Sequence, residues 1–245
     1  EEERPSDLMA LFFGRGRQPK KVPAEAGLNR FIWDLRYPDA KRVPGGFLWA
    51  GSTRGPVAVP GQYQVRLRVG DRTFTQPFEI RKDPRVKASI EDLRAQFDLL
   101  IKIRDRLSEA HQAVNTIRDV RKQIDDLVKR LKGHPQQKTI AEAAKALKEK
   151  LGAVEREIIQ VKVKAPQDTL NYPIKLNNKL ASLADAVASA DARPTKQAYE
   201  VFGELSARLD DQLARLKEIL RKDIPAFNRQ VKAQKIPAII LKPAK

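Results

Sequence analysis

The sequence predicts an α+β protein in which a small antiparallel β module precedes an antiparallel helical bundle of about four helices. Three observations carry that prediction. Apolar residues recur at every second position between Gly27 and Asp83, the period changes to about 3.5 after Lys82-Asp83-Pro84, and prolines cut the remainder of the chain into helix-length pieces. The same changes of texture set the boundaries: a linker over 1–26, the β module over 27–84, the helical part over 85–222 and a basic tail over 223–245.

The linker is charged, contains Pro5, Pro19 and Pro23, and repeats at neither 2 nor 3.6 residues. Its run Leu8-Met9-Ala10-Leu11-Phe12-Phe13 can dock locally. In Phe31-Ile32-Trp33-Asp34-Leu35-Arg36-Tyr37 the odd positions carry Phe, Trp, Leu and Tyr, which predicts one buried face of a strand. Two further strands run over 63–69 and 73–80, joined at Gly70-Asp71, the loop of a II′ hairpin with Gly at its first central position. That loop sets Leu67 opposite Phe74 and Tyr63 opposite Phe78, so the apolar faces coincide. Pro77 marks an edge position or a bulge. Tyr63 follows the tight turn Pro60-Gly61-Gln62, where a Tyr either bonds back to the upstream backbone or simply fills the core. Weaker strand candidates lie at Phe47-Leu48-Trp49 and Val57-Ala58-Val59.

Ser89 with Asp92 is a capping-box-like start for the first helix, whose apolar positions from Leu93 to Leu131 are interrupted at Arg104 and Arg121. Gly133-His134-Pro135 stops it. A helix of roughly 65 Å is too long for the β module alone to bury, so it needs helical neighbours. Thr139 with Glu142 begins the second, Pro173 opens the third and Pro194 the fourth, with Leu205, Leu209, Leu213 and Leu216 along its seam. Beyond Asp223 the prolines predict one short helical turn and an extended tail.

The chain has 245 residues, no Cys, two His, and 48 Lys+Arg against 31 Asp+Glu, a net charge of +17. It starts Glu1-Glu2-Glu3 and its only methionine is Met9, so it reads as a piece of something longer. The absence of Cys removes disulfide scaffolds, thiolate zinc sites and cysteine nucleophiles. No apolar run spans a membrane; the closest, Val43 to Thr53, is broken by Pro44, Gly45 and Gly46. No nucleotide-binding, zinc-protease, serine-hydrolase or EF-hand pattern occurs. No catalytic residue, metal ligand set or cofactor is therefore expected. His111 and His134 read as solvated or capping residues.

Two groups of residues remain as candidate sites. Trp33, Asp34, Asp39 and Trp49, with Tyr37, form the aromatic and carboxylate concentration that a carbohydrate-binding or glycoside-processing unit uses, although core packing is the preferred role for the aromatics. Arg118, Arg121, Lys122, Lys129, Arg130 and Lys132 at the end of the first helix form a candidate anion-binding patch. Arg229, Lys232, Lys235, Lys242 and Lys245 form another in the tail. Neither patch interleaves aromatics for base stacking, so general attraction to anions is preferred over nucleic-acid binding. Elsewhere the basic residues have acidic neighbours three or four positions away, the pattern of a salt-bridged, solvated face.

Several segments resemble one family together. These are Ala26-Gly27-Leu28-Asn29-Arg30-Phe31-Ile32-Trp33-Asp34-Leu35-Arg36-Tyr37-Pro38, Pro60-Gly61-Gln62-Tyr63, Lys82-Asp83-Pro84-Arg85 and Leu170-Asn171-Tyr172-Pro173-Ile174-Lys175-Leu176-Asn177-Asn178-Lys179-Leu180. In this order they are similar to the C-terminal region of large secreted bacterial proteins labelled glycosyl hydrolases or sortilin-like BNR-repeat proteins. The resemblance implies an N-terminal β-propeller, an Ig-like sandwich and a helical region, with any hydrolase activity in the propeller. This chain has no Ser-x-Asp-x-Gly-x-Thr-Trp box, so no catalytic residue carries over. An Ig-like sandwich wants about seven strands, more than this chain offers, so the β module is expected to be a truncated one. The expected function is a non-catalytic accessory region, extracellular or periplasmic. Its expected partners are the parent chain's propeller or another protein, and an oligomer is possible.

Overall fold

A computed structural model describes residues 22–234 of the chain. The Leu8–Phe13 run and the tail residues Lys235, Lys242 and Lys245 lie outside the described residues. The fold mixes helix and strand: a two-stranded antiparallel sheet followed by helices at the four predicted places. Residues up to Arg36 form one unit and those from Tyr37 a second.

In the first unit the Asn29 side chain bonds the backbone of Glu25 and Gly27, and Trp33 Nε1 donates to the Arg36 carbonyl at 2.9 Å. The strand predicted over Phe31–Tyr37 does not form. Phe31, Trp33 and Leu35 are exposed, and Leu35 takes φ 59°, so the buried face assigned to Trp33 is absent. A period of two makes one face apolar, but a strand exists only where a neighbour pairs its backbone. Of the weaker candidates, 47–49 forms no strand and 57–59 gets no further than an isolated bridge at Val57.

Strands β1 (Gly61–Val69) and β2 (Arg72–Ile80) pair in the predicted register, with Leu67 opposite Phe74 and Tyr63 opposite Phe78. Gly70 has φ 56° while Asp71 stays out of the positive region, the φ pattern of a II′ turn. The register runs past Pro77 without a bulge, so that proline marks an edge strand. The Tyr63 hydroxyl donates to the Val59 carbonyl at 2.6 Å, the upstream bond its position favours. Burial, with Tyr37 close by, raises the pKa of that hydroxyl.

Helix α1 (Ile90–Arg130) begins at Ser89 with both halves of the capping box made: the Asp92 N–H donates to Ser89 Oγ, and the Ser89 N–H donates to the Asp92 carboxylate. Arg193 reaches the same carboxylate at 2.7 Å and is the main cause of its lowered pKa. Helix α2 (Gln137–Ile158) starts after Gln136, earlier than the expected Thr139 cap. Helix α3 spans Leu176–Val187, and α4 spans Lys196–Glu218 behind the Thr195 cap. One π turn, Ile219–Asp223, leads into α5 (Ile224–Ala233), so helix continues through the boundary expected near residue 222 and buries Phe227.

The core lies among the helices. Leu99, Ile103, Val114 and Ile117 of α1, Ile140, Leu151 and Ile158 of α2, Leu180 of α3 and Leu209 of α4 are essentially inaccessible. Ala40 and Val43, from the irregular stretch ahead of the hairpin, join the same cluster. Val114, Ile117, Leu151 and Ile158 lie on the predicted seams, whereas Leu99, Ile103 and Ile140 fall outside the positions expected there.

Candidate functional site

The irregular stretch from Pro38 to Ser52 is held by two polar stripes, one on α1 and one on α3. Along α1 the stripe runs through Arg104, Ser108, His111, Gln112, Asn115 and Arg118, spacings that keep one helix face turned toward the segment. Arg104 donates to the Pro38 carbonyl at 3.3 Å, and Ser108 Oγ accepts from the Lys41 N–H at 3.2 Å. Gln112 takes the Lys41 ammonium at 2.8 Å, Asn115 donates to the Arg42 carbonyl at 2.9 Å and Arg118 to the Pro44 carbonyl at 3.0 Å. The order of partners along the segment follows the order along the helix. An irregular backbone has no ladder of its own, so its polar groups must find side chains or water. Here α1 supplies the side chains.

Helix α3 repeats the arrangement over the next residues. Asn178 closes both backbone groups of Trp49, its Oδ1 accepting the N–H and its Nδ2 donating to the carbonyl, each at 2.6 Å. Ser182 donates to the Ala50 carbonyl at 3.0 Å. Ala50 sits at φ 45°, and a Cβ on Gly51 would lie 2.8 Å from Ala181 Cβ, so the backbone passes directly over the helix. At Gly55 a Cβ would fall 2.0 Å from the Tyr37 carbonyl oxygen, where only glycine fits.

His111 lies at the centre of this clamp and is buried, against the expectation of a solvated or capping residue. Its Nδ1 meets the Lys41 carbonyl at 2.5 Å, and a carbonyl only accepts, so Nδ1 carries the proton. Nε2 then accepts from the Asn177 amide at 3.3 Å. Burial pushes the His111 pKa down and the Lys41 carbonyl bond pulls it partly back. The neutral ring thus links α1, α3 and the segment between them.

Of the candidate anion patch, Arg118, Arg121 and Lys122 meet protein carboxylates. Glu155 of α2 is buried and takes Arg118 at 2.8 Å and Arg121 at 2.6 Å. Lys122 pairs with Asp126 at 2.7 Å. Arg130 lies at the end of α1 with a partner of its own, and Lys132 is exposed beyond it. One carboxylate, Glu155, faces two guanidinium groups, so the pairing lowers the positive field of the patch without cancelling it.

The carbohydrate candidates are divided between the two units: Trp33 and Asp34 in the first, Asp39 and Trp49 in the second. Asp34 accepts from the Arg36 N–H. Asp39 is bonded to Arg42 at 3.1 Å and to the Gly55 N–H at 3.1 Å, a turn-holding role. Trp49 is 42% exposed, with its backbone fixed by Asn178. None of the four lines the small cleft beside Phe47, Tyr172, Lys175 and Asn178. Among the described residues no group of His, Asp and Glu is placed to hold a metal ion, and no helix is long and apolar enough to cross a membrane.

The hairpin presents the opposite situation. Val65, Leu67, Val69 and Phe74 share one face and are all more than half exposed. Tyr63 and Phe78 stack at 5.9 Å at the base of that face and are partly covered. Sequence reasoning found the face but not its exposure. It missed the two polar stripes altogether, although the spacing from Ser108 to Arg118 and the pair Asn177-Asn178 were visible. Comparison with family models, curated proteins and solved structures finds no match to this chain.

Proposed function

We propose that the chain is a non-catalytic accessory region of an exported bacterial β-propeller protein of the sortilin-like, BNR-repeat kind, serving assembly or positioning outside the cytoplasm. In this reading the hairpin belongs to an Ig-like module completed by strands outside the 245 residues, and the helices form an antiparallel bundle that acts as spacer. The observation that carries it is the open apolar face of Val65, Leu67, Val69 and Phe74. A two-stranded hairpin is marginal in water by itself and needs a covering layer or further strands. The clamp on residues 38–52 supports the same reading, because it gives the β module a fixed attachment to the helices. The family resemblance supplies the propeller and the compartment.

Extending the chain upstream into the parent reading frame tests the proposal. The melting temperature should rise, and the exposed hairpin residues should become protected from solvent. An unchanged melting temperature on extension contradicts the reading.

A further inference from the structure

We propose that β1 accepts one further β-strand along its outer edge, and that the incoming strand alternates apolar and acidic residues. The inference rests on the unfinished β module proposed above and adds where the strand binds and what it must carry. In a two-residue hairpin the closing pair, here Val69 and Arg72, exchanges both of its backbone bonds, and bonded and non-bonded pairs alternate from there. Leu67, Val65 and Tyr63 therefore turn their backbone groups inward to β2. Arg68, Arg66 and Gln64 turn theirs outward, as do Thr73, Thr75 and Pro77 on the other strand.

Pro77 thus stands at an outward position of β2. The ladder to β1 loses nothing by it, while the outer edge of β2 lacks a donor at its middle and is closed to strand addition. β1 contains no proline, so its outer edge can donate and accept along its whole length. Among the described residues, Gln64, Arg66 and Arg68 make no backbone hydrogen bond outside the hairpin. The edge is intact and open, and the two edges are not equivalent.

Side chains along β1 specify the occupant. Val65, Leu67 and Val69 lie on one face; Arg66 and Arg68 lie on the other. A strand laid beside β1 sets apolar residues next to the first group and gains from carboxylates next to the second, since opposite charges on neighbouring strands attract and like charges repel. A second copy of the chain meets the first need but not the second. Pairing β1 with itself so that Val65 faces Leu67 places Arg66 against Arg66. Packed face to face, two nine-residue hairpins would cover roughly 300 Å² each, short of the roughly 1,000 Å² in total that a specific interface requires.

The probe is a capped nine-residue peptide alternating valine and glutamate, titrated into the full chain and followed by amide hydrogen exchange. Exchange at Gln64, Arg66 and Arg68 should slow on addition, while Thr73 and Thr75 stay unchanged. Arg66→Pro removes one outward donor and should weaken binding about tenfold or more. Thr75→Pro makes the same change on the other edge and should leave binding within about twofold. The double change Arg66→Glu, Arg68→Glu should shift preference to a valine–lysine peptide, a reversal that misfolding cannot produce. The proposal is overturned by no binding at millimolar peptide, by equal loss in both proline variants, or by protection appearing on β2. Slow exchange at the three β1 amides before peptide is added, or a concentration-dependent dimer that protects them, also overturns it. If upstream extension raises the melting temperature while Arg66→Pro leaves peptide binding intact, only the assignment of the edge fails. If the peptide binds at the β1 edge while extension changes nothing, the edge stands and the accessory reading fails.

Discussion

The segment Pro38–Ser52 and the hairpin β1–β2 reverse the usual relation between regularity and burial. The irregular segment has no ladder, yet side chains of α1 and α3 bond its backbone and Ala40 and Val43 enter the core. The hairpin has a complete ladder and matched apolar faces, yet Leu67 and Phe74 are more than half exposed. Secondary structure satisfies backbone groups, whereas burial needs a second layer. The helices are that layer for the segment, and the hairpin lacks one among the described residues.

The largest contrast is expected between two truncations. Ile117→Ala in the inaccessible core should lower the unfolding free energy by about 2–5 kcal/mol, whereas Leu67→Ala should change it by less than about 1 kcal/mol. Urea denaturation of both variants checks this. Similar losses would mean that the hairpin face is covered. Next comes the clamp. Asn178→Ala leaves the Trp49 N–H and carbonyl without their side-chain partner and should cost about 1–3 kcal/mol, with indole fluorescence reporting loosening around Trp49. A fluorescence change without a stability change would show that water replaces the amide at no cost.

Ser89→Ala removes one half of the capping box and should cost about 1 kcal/mol, read as a shift in thermal midpoint. The smallest effect is a pH slope. Burial depresses the His111 pKa in the folded state, so the unfolded chain takes up the proton first as pH falls. Stability is full above the ordinary histidine range and should decline from about pH 6.5 downward until the folded pKa is passed. Gln in place of His111 should flatten that slope between neutral pH and the acid range. An unchanged slope would place the titrating group elsewhere.

Much of this was legible in the sequence because it is local. The Gly70-Asp71 turn, the register it imposes, the Ser89 cap and the seams of the helices follow from residues near one another in the chain. The strand expected over Phe31–Tyr37 failed for the complementary reason. Alternation describes one face, and pairing depends on a distant neighbour. The clamp was hidden because the carbonyls of an irregular segment carry no period, and Arg104, Asn115 and Arg118 look the same whether they face water or a backbone. His111 went the same way: its burial comes from Lys41 and Asn177, 70 and 66 residues away along the chain. The basic patch was visible as charge, but the pairing of Arg118 and Arg121 with Glu155 depends on how α2 packs against α1.

Native-state hydrogen exchange on the chain alone tests the central contrast most directly. Amides of α1 from Leu99 to Ile117 should exchange only through global unfolding, while the outward amides of Gln64, Arg66 and Arg68 exchange many orders of magnitude faster. Protection at those three positions equal to that of α1 would contradict the account, because the edge and face of the hairpin would then already be occupied.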